Sequence, residues 1–183
     1  SAFQVTSISS TSGFANADYE LWPSFSKFIL IILMIFGGCA GSTGGGIKIV
    51  RISILLKLIK REMQKATHPK AVLPVISDRK SLSDEVVLSI NAYLGTYFVI
   101  AVLSTGLVTL SGVDVITGFS SVATTLSNVG PGFGDIGPTK NFHFYSDFFK
   151  LYFSLLMLLG RLEFFTIMAL FTRGRHRKEI IKL

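Results

Sequence analysis

The chain has 183 residues, of which 49% are hydrophobic and 16% are charged, whereas a soluble domain carries about 25% charged residues. This composition favours an integral membrane protein, and the single cysteine, Cys39, excludes an intramolecular disulfide or a multi-cysteine metal site. The net charge of +7 is concentrated in residues 48–80 and 173–183, beside apolar runs. This pattern predicts cytoplasmic flanks of membrane spans and argues against nucleic acid as a partner.

The first predicted element is a short pore helix within residues 1–13. It runs into the sequence Ser-Thr-Ser-Gly-Phe, and we call residues 10–14 the first pore loop. After a further loop that ends in Trp22 and Pro23, residues 25–36 are strongly apolar. As a helix they would measure about 18 Å, which is too short for a hydrocarbon core of about 30 Å. We therefore expect the membrane span to continue past this run.

The glycine-rich segment, residues 37–46, interrupts that span. Each glycine costs roughly 1 kcal/mol against alanine in a helix, and helical periodicity resumes only at residues 47–59. Non-helical backbone at membrane depth is tolerated only where it is buried in protein or lines a water-filled cavity. We therefore predict that the segment is an intramembrane gate, formed by Gly37, Gly38, Cys39, Ala40, Gly41, Ser42, Thr43, Gly44, Gly45 and Gly46.

The second half of the chain repeats this order of elements. A polar connection at residues 60–83 precedes a predicted span at 85–110, a short re-entrant helix at 113–127 and a last span at 145–172. The sequence Asn-Val-Gly-Pro-Gly follows the re-entrant helix, and we call residues 128–132 the second pore loop. If both basic clusters are cytoplasmic, both pore loops lie on the opposite, outer side of the membrane.

The two pore loops predict a potassium filter. Such a filter needs backbone carbonyls that replace the hydration shell of the ion, and glycine permits the backbone angles that aim them. Ordinary loops are the alternative, but each pore loop lies between a short apolar helix and a long apolar run. The predicted filter residues are Thr11, Ser12, Gly13, Phe14, Asn128, Val129, Gly130 and Pro131, with potassium bound at Thr11, Ser12, Gly13, Asn128, Val129 and Gly130.

Arg161 is a charge within the last predicted span, where it costs about 2.5–3.5 kcal/mol or more. Residues 33–38 match residues 156–161 in an internal repeat, which places Arg161 near the level of the glycine-rich segment. One explanation is a structural pairing of Arg161 with Glu163 or with a backbone carbonyl. The other is a positive charge in the ion path, which repels cations, holds the segment by its carbonyls, or does both.

The remaining polar residues give weaker signals. Asp18, Glu20 and Asp135 lie near the pore loops, where they either attract cations at the outer mouth or belong to solvated loops. The sequence has no His/Asp/Glu constellation and no nucleophile beside a base, so we do not expect an enzyme. We expect no cofactor bound by the chain, with potassium as its substrate.

In four motifs the chain resembles the Trk/Ktr/HKT family of potassium transporters, over essentially its whole length. The motifs are residues 3–7 leading to Ser-Gly-Phe at 12–14, residues 40–48, residues 127–132, and Gly-Arg-Leu-Glu at 160–163. The resemblance implies an all-α integral membrane fold, in which four helix–pore-helix–helix units surround a pseudo-fourfold pore.

That fold assigns each part of the chain to a unit. Residues 1–65 would be most of the third unit, 66–83 a cytoplasmic connection, 84–172 the fourth unit and 173–183 a basic cytoplasmic tail. Since the chain begins at Ser1 inside a pore helix, we expect it to be the C-terminal half of a longer subunit in the cell (inner) membrane. The first two units and the first span of the third would be missing.

The resemblance also implies function and partners. We expect potassium uptake through the filter, with residues 37–46 and Arg161 as the gate, and glycine at 13 and 130 as the family feature that favours potassium over sodium. The expected partners are membrane lipid, the missing N-terminal pore units, a second copy in a homodimer, and a cytoplasmic nucleotide-binding regulatory subunit. Pro131 stands at the position of Phe14, so selectivity should be less uniform than in a symmetric filter. The alternative is a non-conducting membrane scaffold or regulatory subunit of the same fold.

Overall fold

The computed structural model describes residues 1–38, 42, 44–68, 74–77 and 80–162. Over these residues the chain is almost entirely helical, as predicted. The α-helices are α1 (Ala2–Ser9), α2 (Ser24–Ile35), α3 (Ile49–Thr67), α4 (Asp84–Thr109), α5 (Val115–Ser127) and α6 (Asp147–Leu162). Short 3-10 turns lie at Tyr19–Leu21, Gly134–Ile136 and Phe142–Phe144. One antiparallel pair of two-residue strands, β1 (Ile76–Ser77) and β2 (Lys80–Ser81), lies between α3 and α4.

The largest difference from the expected boundaries is at α3, which continues two turns past residue 59 to Thr67. Residues 60–66 carry Lys, Arg, Glu, Met, Gln, Lys and Ala, all of which favour helix. The continuation is therefore set by helix propensity, where apolar periodicity has already ended. The predicted last span reaches residue 172, but residues 163–172 and the basic tail lie outside the described residues.

Within the described ranges, α4 is the helix that is long and apolar enough to cross a membrane. Its 26 residues correspond to about 39 Å, which exceeds the hydrocarbon core of about 30 Å. The apolar helices α2 and α5 are shorter, as expected for half of a broken span and for a re-entrant helix.

Helix α5 occupies the centre of the fold. Residues 120–127 are all buried, and α5 packs against α2, α4 and α6. Its buried hydroxyls are satisfied inside the helix or by neighbours: Ser121 donates to the Thr117 carbonyl and Thr125 to the Ser121 carbonyl. Each buried hydroxyl oxygen of α5 thus has at least one hydrogen-bond partner, so the helix can be central.

The two halves of the chain share one hydrophobic core. Ile8 and Met34 from the first half pack in the same buried cluster as Ala123, Val129 and Phe133 from the second. This shared core sets the two pore loops side by side.

Two arginine side chains of α3 hold this helix against α4. The Arg51 guanidinium lies 4.0 Å from the centre of the Tyr93 ring, and Arg61 pairs with Asp84 at 3.1 Å. A cation over an aromatic ring is attracted by the ring's quadrupole. The start of α3, directly after the glycine-rich segment, is therefore tied to the neighbouring half.

Candidate functional site

The two pore loops have the same backbone form. Thr11 and Asn128 both adopt left-handed angles, with φ of 57° and 54°. Two residues later, Gly13 and Gly130 have φ of 72° and 111°. Positive φ is uncommon outside glycine, so its recurrence at two matching positions is strong support for the internal repeat. Along the chain, the first loop begins directly after α1 and the second directly after α5.

Each loop is held by a hydroxyl of the preceding helix. The Ser7 hydroxyl donates to the Phe14 carbonyl at 2.6 Å, and the Thr124 hydroxyl donates to the Pro131 carbonyl at 3.2 Å. The Thr124 oxygen also accepts from the Gly130 N–H at 2.9 Å. The carbonyls of Phe14 and Pro131 thus accept bonds from the helices that precede them.

Six other carbonyl oxygens of the two pore loops lack such a hydrogen-bond donor. Within the described part of the chain, no N–H or O–H group donates to the carbonyl oxygens of Thr11, Ser12, Gly13, Asn128, Val129 and Gly130. They are the six carbonyls predicted to bind potassium. Val129 is buried, Ser12 is exposed and the other four residues are half-buried. Because no described donor competes for these oxygens, they are acceptors to which a dehydrated ion could bind.

The two loops touch each other. A Cβ atom at Gly13 would clash with the Val129 carbonyl oxygen and would lie 3.1 Å from Cδ of Pro131. Only glycine permits this approach. A Cβ at Gly130 would meet no atom of the described residues within 4 Å.

Outside the loops, the two halves are connected by Tyr19 and Glu20. The buried Tyr19 hydroxyl donates to the Gly132 carbonyl at 3.0 Å. Burial raises the pKa of Tyr19, with smaller contributions from Glu20 and Asp18, so the phenol remains a donor at neutral pH. Glu20 accepts from the Gly134 N–H and pairs with Lys27 at 3.0 Å.

The three acidic residues near the pore loops all have partners among the described residues. Asp18 accepts from the Glu20 N–H at the start of a 3-10 turn. Asp135 pairs with Lys140 at 2.8 Å, and that hydrogen bond raises the pKa of Lys140. With Glu20 engaged as well, all three carboxylates have structural partners, which favours loop stabilisation over cation attraction.

The glycine-rich segment leaves the helical path and returns to it. The Ile47 N–H donates to the Ile35 carbonyl at 3.0 Å, and the Ile49 N–H to the Gly38 carbonyl at 3.4 Å. These bonds close the base of an excursion between α2 and α3. The described ends of the predicted interruption are therefore hydrogen-bonded to each other.

The described part of this excursion lies against Thr11 of the first pore loop and against Ser127, the residue that directly precedes the second. A Cβ at Gly44 would lie 3.0 Å from Oγ1 of Thr11, and one at Gly45 would clash with the Ser127 carbonyl. A Cβ at Gly46 would lie 3.2 Å from the Ser127 hydroxyl. The glycines thus allow the segment to approach the first pore loop and the residue before the second at once.

Lys48 binds the described part of the glycine-rich segment. Its ammonium donates to the Gly44 carbonyl at 2.5 Å and to the Ser42 carbonyl at 2.8 Å. It also lies 3.3 Å from the Ser42 hydroxyl. Charge-assisted hydrogen bonds are stronger than neutral ones, so Lys48 is the principal tether among the described residues of the segment.

Helix α6 approaches the end of α5 at Gly160 and the second pore loop at Met157. A Cβ there would clash with the Leu126 carbonyl, and the Asn128 amide donates to the Met157 carbonyl at 3.0 Å. In the first half, the Gly38 N–H lies 3.4 Å from the corresponding carbonyl, that of Ser9. Gly160 and the start of the glycine-rich segment therefore sit at matching levels, as the repeat predicts.

Arg161 follows directly, in the last turn of α6, and is exposed. Among the described residues it makes no hydrogen bond or ion pair to the glycine-rich segment. Its predicted partner Glu163 and the gate residues Cys39, Ala40, Gly41 and Thr43 lie outside the described residues. No group of three His, Cys, Asp or Glu residues suited to a metal occurs in the described ranges.

The structure thus brings together all eight predicted filter residues and the described part of the predicted gate. Three functional candidates received no role from the sequence: Ser7 and Lys48, which lie inside two of the motifs, and Thr124, which lies outside them. A signal for Ser7 and Thr124 exists, because both are hydroxyl residues four positions before the left-handed residue of their loop.

Comparison with known proteins gives consistent results. The family model TrkH, described as "Cation transport protein", matches residues 1–178. The chain is 38% identical over 176 residues to the Trk system potassium uptake protein TrkH of Halomonas elongata, covering 96% of this chain and 36% of that protein. Its identity to TrkH of Escherichia coli K12 is 36% over 170 residues, covering 93% and 35%.

A solved structure also matches. The crystal structure of the potassium transporter TrkH from Vibrio parahaemolyticus superposes with a TM-score of 0.82 and 37% identity, over 92% of this chain and 36% of that one. The chain therefore spans about a third of the length of these relatives.

Proposed function

The chain belongs to the TrkH family of cation transport proteins, and we propose that it forms the part of a potassium-uptake protein that carries two filter loops and the gate below them. The observation that supports this most directly is the pair of pore loops. They share positive φ at matching positions and are each held by a helix hydroxyl. The relatives named above as potassium uptake proteins agree with this substrate.

The filter step depends on the six carbonyls at residues 11–13 and 128–130. Ion filters replace water by backbone oxygens, and these oxygens accept no hydrogen bond from the described residues. The hydrogen bonds that the Ser7 and Thr124 hydroxyls donate attach the loops to the preceding helices. Phe14 and Pro131 accordingly act as anchors of the loops, and their carbonyls bind the preceding helices.

The gate step depends on the glycine-rich segment. It packs against Thr11 of the first pore loop and against Ser127, directly before the second, and so obstructs the path below the filter. Release of the Lys48 tether, or movement of α3, would withdraw it. Arg161, in the last turn of α6, adds a positive charge that opposes cations on the same path.

A complete pore requires more than this chain. We propose that residues 1–65 and 84–172 are the third and fourth pore units, connected by residues 66–83 and followed by a basic tail at 173–183. Missing N-terminal units close the ring in a multi-pass membrane protein. The full subunit forms a homodimer, and a cytoplasmic nucleotide-binding regulatory subunit docks on the basic inner face, residues 48–80 included.

Ion uptake by the full-length protein tests this proposal. Vesicles containing the purified protein, with its regulatory partner supplied, should take up rubidium in preference to sodium, and external potassium should compete. Protein-free vesicles give the background. Absence of uptake of either ion by well-folded protein would instead support a non-conducting scaffold.

A further inference from the structure

A large apolar cavity lies between α3, α4 and α5. Its volume is about 710 Å³, within the range of cavities that hold small ligands. Its lining includes Leu55, Leu94, Phe98, Ala101, Phe119 and Leu126. Phe98 is 69% exposed, Leu56 61% and Val102 54%, so the cavity is open on one side.

The polar groups of the cavity wall are already satisfied. The Tyr97 hydroxyl lies 3.4 Å from that of Ser127, and the Thr105 hydroxyl donates to the Ala101 carbonyl at 2.7 Å. A buried water needs two to four polar partners. The cavity therefore suits a hydrocarbon and not ordered water.

A basic groove continues from this cavity along α3. Ile52 and Leu56 line both, and the groove ends at Ser53, Lys57 and Lys60. Lys60 follows Ile52 by eight residues, which is about 12 Å along a helix. Lys57 donates to the Ile76 carbonyl, whereas Lys60 is exposed and forms no ion pair among the described residues. An apolar chamber thus leads to an available cation.

We propose that the cavity and groove bind one anionic phospholipid, with an acyl chain in the cavity and the phosphate at Lys60. The Ser53 hydroxyl is a second donor on the same groove. Charge complementarity selects this occupant, because a basic pocket between membrane helices suits an anionic headgroup. The cavity lies at the seam between the two halves of this chain, with α3 from one and α4 and α5 from the other.

The bound acyl chain would contact the gate. Ile35 and Ile47 line the cavity, and the bond between their backbones closes the base of the glycine-rich segment. Occupancy would therefore stabilise the pinned form of the segment. This consequence rests on the proposed function, whereas lipid binding itself does not.

Native mass spectrometry of the full-length protein tests binding without reference to transport. The protein is titrated with dioleoyl phosphatidylglycerol and, separately, with dioleoyl phosphatidylcholine. The wild-type protein should bind one phosphatidylglycerol per subunit more tightly than it binds any further lipid molecules. Lys60→Gln should weaken that binding about fivefold, the equivalent of roughly 1 kcal/mol for one cation near an anionic lipid. Ala101→Trp fills the cavity and should abolish the tight site.

Two matched variants control for general effects. Lys65→Gln removes a lysine of α3 that lines a different groove, and Leu103→Trp places an indole at an exposed position of α4 outside the cavity. Both should bind lipid as wild type does. If Ala101→Trp does not fold, the phosphatidylglycerol affinity of Lys60→Gln alone tests the proposal. Unchanged binding by Lys60→Gln, or conversion of dimers to monomers by Ala101→Trp with lipid binding intact, would overturn the proposal.

Discussion

The hydroxyl of Thr124 stands in the same relation to Pro131 as the hydroxyl of Ser7 does to Phe14, 117 residues earlier in the chain. Each hydroxyl reaches the carbonyl seven residues further on, across the turn made by the left-handed residue. The two halves thus hold their pore loops by one device, although the loop sequences share little beyond a glycine.

Substitution of Thr124 by valine tests this device. Thr124→Val preserves shape but leaves the Pro131 carbonyl and the Gly130 N–H without their partner, at a cost of about 1–3 kcal/mol for each buried group. We expect a lower rubidium-to-sodium uptake ratio and a lower melting temperature. Thr125→Val is the control, since the Thr125 hydroxyl bonds only within α5. Equal ratios in the two variants would contradict the role of Thr124.

Removal of the tether tests the gate. Lys48→Met deletes the ammonium that binds the carbonyls of Ser42 and Gly44. Hydrogen bonds to charged groups contribute about 1.5–3 kcal/mol each, so rubidium flux without the regulatory partner should rise about tenfold or more. Lys57→Met is the matched control. Lys57 is a lysine of α3 whose ammonium also donates to a backbone carbonyl, but that carbonyl belongs to Ile76, outside the glycine-rich segment. A flux that stays at the wild-type level would argue against a tether.

Arg161 tests the electrostatic part of the gate. Arg161→Ala should increase rubidium flux roughly tenfold, since each 1.4 kcal/mol or so removed from a barrier is tenfold in rate. Lys150→Ala removes a charge from the same helix, where Lys150 pairs with Asp147 at the surface, and should leave flux unchanged. Unaltered flux in a well-folded Arg161→Ala protein would favour a structural pairing.

Tyr19 tests the connection between the halves. Tyr19→Phe leaves the Gly132 carbonyl unpaired in the core and should lower unfolding free energy by about 1–3 kcal/mol, measured by thermal melting. Tyr152→Phe loses a comparable bond, to Ser104, within the second half alone. Both should destabilise, but only Tyr19→Phe should also reduce selectivity. Equal selectivity in both variants would separate Tyr19 from the filter.

The order of the described helices could be predicted from the sequence, because the lengths and periodicity of apolar runs indicate which segments are helical and buried. The continuation of α3 to Thr67 was missed because apolar periodicity ends before residue 60, although the helix propensity of residues 60–66 was a usable signal. The approach of Gly13 to the Val129 carbonyl and the bond from Tyr19 to Gly132 also escaped prediction. Both join residues more than 110 positions apart, and no local signal specifies such pairs.

Lys48 shows a different limit. A lysine after a glycine run is expected to belong to the basic flank, and the sequence places it there. Its ammonium instead turns back to carbonyls four and six residues earlier. That orientation follows from the closed base of the excursion, formed by Ile35 and Ile47, which only the folded backbone reveals.

The most direct test of a carbonyl filter is the uptake ratio of rubidium to sodium for Gly130→Ser beside Gly112→Ser, in the full-length protein. Both glycines have positive φ, of 111° and 84°, and open space for a side chain, so both substitutions introduce similar backbone strain. Only Gly130 lies in a pore loop. We predict that Gly130→Ser loses most of the rubidium preference while Gly112→Ser keeps it. An unchanged ratio in Gly130→Ser, with transport intact, would contradict a filter at this position.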